Sequence, residues 1–176
     1  MKYESTAFTK TDLQGFLDEM IDHERLALAA RLQRASERLA EYAPLVTAGH
    51  GQGGASEADW NAHEVLAHIV VLSKFYGVVF HKVSSGKMTE LDLLNNVGLR
   101  DAMNERMAQI EPKELIRMAM EDHARTIKGL QAADAASMRR VVKVDGGETM
   151  TAEEVARLPL ISHLELHIDQ LMRALA

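Results

Sequence analysis

The sequence predicts an all-α protein, a four-helix bundle with short accessory helices and a small hairpin. Three observations favour this class. Four long segments repeat their apolar residues at helical spacing, Pro and Gly residues separate them, and only residues 141–150 have a strand-like pattern. The chain has 176 residues, the size of one domain at roughly 100–200 residues per domain. We therefore expect residues 1–176 to form a single domain.

The first predicted helix begins at Thr11, where Thr11 and Gln14 have the spacing of a capping box, and it continues to Pro44. Its periodicity predicts an inward stripe made of Leu13, Phe16, Met20, His23, Ala27 and Ala30. A glycine-rich loop follows at residues 49–54. Because it lacks the Lys-Ser/Thr ending of a phosphate-binding loop, we interpret it as a linker.

The second predicted helix starts near Ser56, passes through Trp60 and ends at about Ser84. Its predicted inward stripe consists of Glu64, His68, Val71, Phe75 and Val78. Residues 89–110 are then expected to form one or two shorter helices with an interruption around residues 95–98.

The third main helix is predicted to begin at Pro112, because proline suits the first position of a helix. One face of this helix contains Leu115, Met118, Ala119, Asp122, Thr126 and Leu130. A turn at Asp145 and Gly146 predicts the small hairpin. Thr151 and Glu154 form a second capping-box pattern, which opens a short helix, and Pro159 is predicted to begin the last helix.

Composition excludes several classes of function. The chain has no cysteine, which rules out disulfides, thiolate zinc sites, iron–sulfur ligation and a cysteine nucleophile. The formal net charge is −6 without a basic stripe, so we expect no nucleic-acid partner. The most apolar stretch, residues 65–72, is much shorter than the roughly 20 residues of a membrane span. The expectation is a cytoplasmic protein without a membrane partner.

Three histidines form a candidate metal site. His163 and His167 are four residues apart, so they project from one face of the last helix, about one turn apart. His68 lies in the middle of the second helix, among apolar residues. Three imidazoles with an open position would suit Zn²⁺, Ni²⁺ or Fe²⁺. Spacing alone leaves a second interpretation open, in which these are core histidines bonded to backbone and water.

Other metal motifs are absent from this sequence. The residue that follows His163 is not the glutamate of a zincin helix, and His63 and His68 are five apart and point in different directions. No Glu-x-x-His sequence occurs, which excludes a di-iron carboxylate bundle. A metal site here would be mononuclear.

Two segments resemble the DinB-like family and its relatives around mycothiol-dependent maleylpyruvate isomerase. In residues 60–68, Trp60 is followed by an acid four residues later and by His68 eight residues later. In the last helix, His163 and His167 are followed by Gln170. The resemblance implies an up-down-down-up bundle, often a homodimer, with a divalent metal at one end held by His68, His163 and His167.

The function that the resemblance implies is that of a divalent-metal-dependent enzyme acting on a small molecule. We expect a transferase or isomerase dependent on a low-molecular-weight thiol, or a hydrolase. Zinc and nickel are the expected metals, and iron is an alternative. Because the chain lacks cysteine, a thiol such as mycothiol, bacillithiol or glutathione would have to be a cofactor. The competing hypothesis is a non-catalytic, stress-associated dimer or ligand-binding module with a structural or vestigial metal site.

Several nearby residues have two interpretations each. Glu64 lies one turn before His68 and could orient its ring or act as a base, or it could be a plain acid at a helix N-terminus. Gln170 is a weaker candidate to support the metal ligands. His23 and His123 could line a pocket, although core or surface positions are more typical of such residues. Trp60 is interpreted as a packing anchor instead of a substrate platform.

Overall fold

The computed structural model describes residues 10–48, 60–93 and 97–176. The seven helices in these ranges are α1 (Lys10–Tyr42), α2 (Ala62–Ser84), α3 (Val97–Met107), α4 (Pro112–Ala132), α5 (Ala135–Met138), α6 (Ala152–Val155) and α7 (His163–Leu175). The strands are β1 (Glu90–Leu91), β2 (Val141–Val144) and β3 (Thr149–Thr151). The predicted glycine-rich loop and Ser56 lie outside the described residues. The prediction that the second helix passes through Trp60 is wrong, because Asn61 is the N-cap residue and α2 begins at Ala62.

Four long helices, α1, α2, α4 and α7, pack as a bundle in which α1 and α7 run in the same direction. Arg31 of α1 binds Glu165 of α7 at 2.5 Å, and farther along both helices Arg38 binds Asp169 at 2.5 Å. Because both partners advance together along the chain, these two helices are parallel. The same ion pairs fix the position of α7 along the axis of α1.

Helix α4 runs opposite to α1 and parallel to α2. Arg25 donates to the carbonyl of Gln131 at 2.7 Å, whereas Ser36 contacts His123 at 3.1 Å, so the partner number falls as the α1 number rises. His123 also bonds Ser73 of α2 at 2.8 Å.

Farther along α2, Gly77 lies against Thr126 of α4. Since residue numbers increase together along α2 and α4, these two helices are parallel. The direction of all four long helices is then up, down, down, up. This confirms the predicted all-α bundle and its topology.

The predicted inward stripe of the first helix is wrong. Leu13, Phe16 and Met20 are 51%, 53% and 50% exposed, and the His23 side chain is 80% exposed. Helix α4 ends near Arg25 of α1. It therefore does not extend alongside the earlier turns of α1 and cannot cover them. The α1 residues that are buried are Leu28, Ala29, Leu32, Ala35, Ser36 and Leu39.

The predicted capping box at Thr11 is also not observed. Helix α1 already includes Lys10, and the Gln14 amide donates to Asp18 at 3.0 Å. Thr11 therefore lies inside the helix, where its hydroxyl is not in the N-cap position.

Helix α2 is buried on most of its circumference, and its predicted stripe was assigned to the wrong face. Val71 is buried, but Glu64, His68 and Phe75 are only half-buried and Val78 is 47% exposed. A helix that is apolar on nearly all sides gives no periodic signal that selects one face. As a result, His68 lies at an accessible edge of the helix.

By length and composition, α2 could also cross a membrane. In the structure, 67% of its most apolar window is buried among the other elements. This is the property of a central bundle helix, whose apolar surface is covered by protein.

The predicted start of the last helix at Pro159 is wrong, because α7 begins at His163. The capping box at Thr151 is confirmed: the Glu154 amide donates to the Thr151 hydroxyl at 3.1 Å, and the Thr151 amide donates to the Glu154 carboxylate at 2.7 Å. A π-helical segment, Ala156–Ser162, then joins α6 to α7. Proline lacks an N–H and crowds the preceding turn, and here the helix widens around it instead of beginning there.

The predicted hairpin is confirmed. Strands β2 and β3 are antiparallel, and Gly146 and Gly147 adopt the positive φ angles of 80° and 87° in the turn between them. Strand β1 adds a parallel edge next to β2. The predicted helix at Thr89 is therefore wrong at its start, because the Lys143 amide donates to the Thr89 carbonyl at 2.9 Å and aligns this segment with the sheet.

The predicted face of α4 agrees with its burial. Pro112 begins the helix, and Leu115, Ala119 and Leu130 are fully buried. Met118 is only half-buried. His123, which the sequence placed on the inner stripe or at its edge, lies on the same buried side.

Candidate metal centre

Three histidines from two bundle helices converge at the accessible edge of α2. One ring nitrogen of each of His68, His163 and His167 lies within 4.8 Å of the others. The Nε2 atoms of His163 and His167 are 2.9 Å apart, and the His68 ring centroid lies 4.4 Å from that of His167. The predicted grouping of these three side chains is thus present in the structure.

The two Nε2 atoms of α7 lie close enough together to share one cation. Two nitrogens bound to zinc at about 2.0–2.1 Å in a tetrahedral site are about 3.3–3.4 Å apart, so the two atoms would separate by about 0.4 Å on binding the ion. The observed Nε2–Nε2 distance is 2.9 Å. Two ring nitrogens at this distance are held together by one shared proton or by one shared cation, since two lone pairs alone would repel.

Amide oxygens stand behind two of the three rings. His68 Nδ1 lies 3.2 Å from Asn104 Oδ1, and His167 Nδ1 lies 2.9 Å from Gln170 Oε1. An amide oxygen only accepts hydrogen bonds, so each Nδ1 carries the proton and each Nε2 keeps its lone pair. This is the arrangement that orients histidine ligands around a metal.

His68 Nε2 is the most informative atom of the cluster. It is buried and has no hydrogen-bond partner among the described residues. A buried polar atom without a partner is costly and requires an explanation. A cation bound between the three rings would satisfy it.

The electrostatics of the cluster keep His68 neutral. Burial, followed by the neighbouring His167, lowers the pKa of His68 from 6.5 to about 4, and the hydrogen bond that His68 donates to Asn104 opposes this change. At neutral pH the His68 ring is therefore uncharged, which is the form that binds metals.

Trp60 forms one wall of the cluster. Its ring centroid is 4.8 Å from that of His68 and 6.2 Å from that of His167, with the latter pair stacked at 27°. Trp60 precedes α2 instead of lying within it, and it is half-buried against the core. Its packing agrees with the anchor interpretation, and it also places an aromatic face beside the two imidazoles.

The position of α7 is fixed by contacts on its other side. Arg31 binds the Glu165 carboxylate through two nitrogens, at 2.5 and 3.2 Å, and donates to the Ser162 hydroxyl at 3.2 Å. Glu165 thus faces α1 and not the histidines. Asp169 pairs with Arg38 in the same way.

Glu64 belongs to the N-terminal cap of α2. The Glu64 amide donates to Asn61 Oδ1 at 3.0 Å, and the Glu64 carboxylate accepts from the Asn61 amide at 2.9 Å. This capping box, which the sequence prediction missed, fixes the first turn below Trp60. The observed contact corresponds to the plain N-terminal acid, and a role for Glu64 as a base or as a support for His68 stays a prediction.

The other described histidines lie apart from the cluster. His63 is buried and its Nε2 donates to the Ile110 carbonyl at 2.8 Å. His81 is exposed near the end of α2, and His23 is exposed on α1. The prediction that His23 faces inward is wrong because the bundle does not cover that part of α1.

His123 is a core residue. It is 1% exposed and lies between two serine hydroxyls, with Nε2 2.8 Å from Ser73 and Nδ1 3.1 Å from Ser36. The Ser73 hydroxyl donates to the Ile69 carbonyl, so it accepts from His123 Nε2–H, and Nδ1 accepts from Ser36. Burial lowers the pKa of His123 to about 4.

One residue that contacts the cluster, Asn104, was not predicted from the sequence. Asn104 comes from α3, an accessory helix without buried residues, and no spacing rule connects it to His68. Gln170 was identified as a weaker candidate, because its position three residues after His167 places it on the same face of α7.

The comparison with solved structures supports the fold. No protein-family model matches the chain, and no curated protein matches it. Two solved crystal structures do match, one of the mycothiol-dependent maleylpyruvate isomerase and one of a histidine-to-alanine mutant of it. For each, the TM-score is 0.66 at 18% sequence identity, over 85% of this chain and 60% of the other. The chain thus spans little more than half of the protein it matches, and it has the DinB-like helical fold.

Proposed function

We propose that this chain is a metal-dependent enzyme that uses a low-molecular-weight thiol to isomerise or conjugate a small molecule. The observation that carries the proposal is the convergence of three histidines, in which His68 Nε2 is buried and has no hydrogen-bond partner in the part of the chain that the structure describes. The similarity in fold to a mycothiol-dependent isomerase supports the choice of reaction class.

His68, His163 and His167 would hold the ion. A Zn²⁺ or Ni²⁺ ion bound there would lower the pKa of a coordinated thiol or water and so supply a nucleophile at neutral pH. Three protein ligands leave a further coordination position for a small molecule. The chain has no cysteine, so the sulfur must belong to a cofactor such as mycothiol, bacillithiol or glutathione.

The remaining residues orient and enclose the site. Asn104 and Gln170 hold the rings of His68 and His167 in the tautomer that presents Nε2. Trp60 covers one side of the cluster with an apolar ring. A wall of this kind excludes water from one side of a bound thiol and strengthens electrostatic interactions inside the site.

A test of this proposal measures isomerisation of maleylpyruvate, and conjugation of model electrophiles, by zinc- or nickel-loaded protein with each of the three thiols. We expect thiol-dependent turnover in the wild type and loss of it in the His167→Ala variant. The matched control is His123→Gln, which changes a buried histidine outside the cluster and should retain turnover.

Absence of turnover with all three thiols, in protein shown to contain metal, would contradict the proposal. It would favour the non-catalytic alternative with a structural metal site. A hydrolysis panel without thiol tests the other predicted reaction class. The homodimer and the cytoplasmic location remain predictions, and sedimentation of the full chain tests the first of them.

A further inference from the structure

A second concave surface lies between α2 and α4, apart from the histidine cluster. It is lined by residues 73–82 of α2 and 122–132 of α4 and has a volume of about 520 Å³. Ligand pockets usually enclose about 300–1,000 Å³. None of His68, His163 and His167 belongs to its lining. We call this surface the α2–α4 groove.

Two glycines shape the floor of the α2–α4 groove. A Cβ atom on Gly77 would come within 2.8 Å of the Thr126 hydroxyl, and one on Gly129 would come within 3.4 Å of the Phe80 ring. The two helices therefore approach closely only because side chains are missing there. The exposed Val78 gives the groove apolar surface, and Phe80, which is 2% exposed, lies behind Gly129.

The rim of the α2–α4 groove is basic in a protein of net charge −6. It carries Lys74, Lys82, Arg125 and Lys128, against the single acid Asp122. Arg125 pairs with Asp122 at 3.1 Å, whereas none of the three lysines forms a salt bridge within the ranges that the structure describes. His81 adds a group that can become cationic.

Asp122 weakens this positive field only slightly. It is 7% exposed and already neutralised by Arg125. Burial raises the pKa of Asp122, although Lys74 and Arg125 act in the opposite direction. The net field over the groove is thus positive, and concave surfaces with one sign of charge concentrate ligands of the other sign.

We propose that the α2–α4 groove binds a small anionic amphiphile, that is, a carboxylate or sulfonate attached to an apolar ring or short chain. The apolar part would lie on the floor at Gly77 and Gly129, beside Val78. The anionic group would meet the ammonium groups of Lys82 and Lys128 at the rim. This inference does not depend on the proposed metal chemistry, because the two sites share no residue.

The test uses naphthalene-1-carboxylate as the probe and the uncharged 1-naphthalenemethanol as its matched analogue, both titrated calorimetrically into the full chain. We expect one carboxylate bound per chain and an affinity about 10-fold lower for the alcohol, because the alcohol keeps the apolar contact and loses the charge. Higher salt should weaken only the carboxylate.

Two groove variants and two controls locate the site. Lys82→Gln with Lys128→Gln removes two rim charges and should weaken the carboxylate about 10-fold. Val78→Trp fills an exposed position of the groove and should abolish binding of both compounds. Lys113→Gln with Lys143→Gln makes the same change in net charge on exposed lysines elsewhere and should have no effect.

The histidine cluster supplies the last control. The His167→Ala variant should bind the carboxylate as the wild type does, which separates this site from the metal centre. Equal affinity for the alcohol, unchanged binding in the groove variants, or loss of binding in His167→Ala would each overturn the inference. So would a dimer that Val78→Trp dissociates, because the occupant of the groove would then be a second copy of the chain.

Discussion

Two histidines of the same bundle, the buried His123 and the half-buried His68, have nearly the same pKa but different surroundings. Burial lowers both pKa values to about 4. His123 has hydrogen bonds at both ring nitrogens, from Ser36 and to Ser73. His68 has a bond at Nδ1 only, and its buried Nε2 has no partner among the described residues.

Neither burial nor a lowered pKa is therefore enough to identify a functional histidine in this protein. What separates the two residues is the accounting of donors and acceptors around each ring. His123 is complete within the protein, so its replacement should change stability. In the cluster of His68, His163 and His167, His68 Nε2 lacks a partner among the described residues. If a cation fills that position, as we propose, replacement of these histidines should change metal binding.

The largest expected effect is the increase in thermal stability on addition of zinc. At a free concentration about 1,000 times the Kd, a bound ion adds about 4 kcal/mol to the free energy of unfolding, or roughly 8–16 °C in Tm for a chain of this size. We expect this shift by thermal denaturation in the wild type and in His123→Gln. A similar shift in His167→Ala would show that zinc stabilises the protein without this histidine.

The second largest expected effect is a loss of folding stability at acid pH caused by His123. The unfolded imidazole, with pKa 6.5, takes up a proton as pH falls, whereas the folded ring does so only near pH 4. Its contribution to stability is therefore complete above about pH 6.5 and is lost as pH falls toward 4, by about 3 kcal/mol. Urea unfolding at several pH values measures this loss, which should be smaller in His123→Gln. Parallel pH profiles of the two proteins would show that the burial of His123 is not the cause.

Asn104→Ala tests the outer hydrogen bond of the cluster. Because Asn104 fixes the tautomer of His68, its loss should lower metal affinity about 10- to 100-fold. Competition with a zinc chelator measures this affinity. Asn104→Asp restores an acceptor and should recover most of it. An unchanged affinity in the alanine variant would show that α3 does not orient the ligand.

The smallest expected effect is that of Glu165→Gln. Glu165 lies between His163 and His167 in the sequence, but it faces α1 and pairs with Arg31. Its replacement should reduce stability by at most about 1 kcal/mol and leave zinc affinity unchanged, as measured by urea unfolding and chelator competition. A large loss of affinity would mean that the ion pair positions the ligands.

The sequence predicted what depends on local rules. The spacing of His163 and His167 requires only helical geometry, and the capping box at Thr151 requires only four consecutive residues. The position of His68 among apolar residues in the middle of the second helix made it the third candidate ligand, and the structure brings it to the other two. The hairpin turn at Gly146 followed from residue type in the same way.

What the sequence could not predict depends on neighbours distant in the chain. Leu13 and Phe16 are spaced as on an apolar helix face, yet they are exposed because α4 ends before it reaches them. The sequence of α1 does not show where α4 ends. Pro159 suggested a helix start because a π-helical widening leaves no local mark. Asn104 contacts His68 because α3 packs against α2, and no pattern in the sequence predicts this packing.

The most direct test of the central claim is the metal content of the purified full chain by mass spectrometry, after exposure to zinc or nickel and removal of the excess. We predict one ion per chain in the wild type and in His123→Gln, and only traces in His167→Ala. No more than trace metal in the wild type with either ion would contradict the account. It would mean that the buried Nε2 of His68 has another explanation.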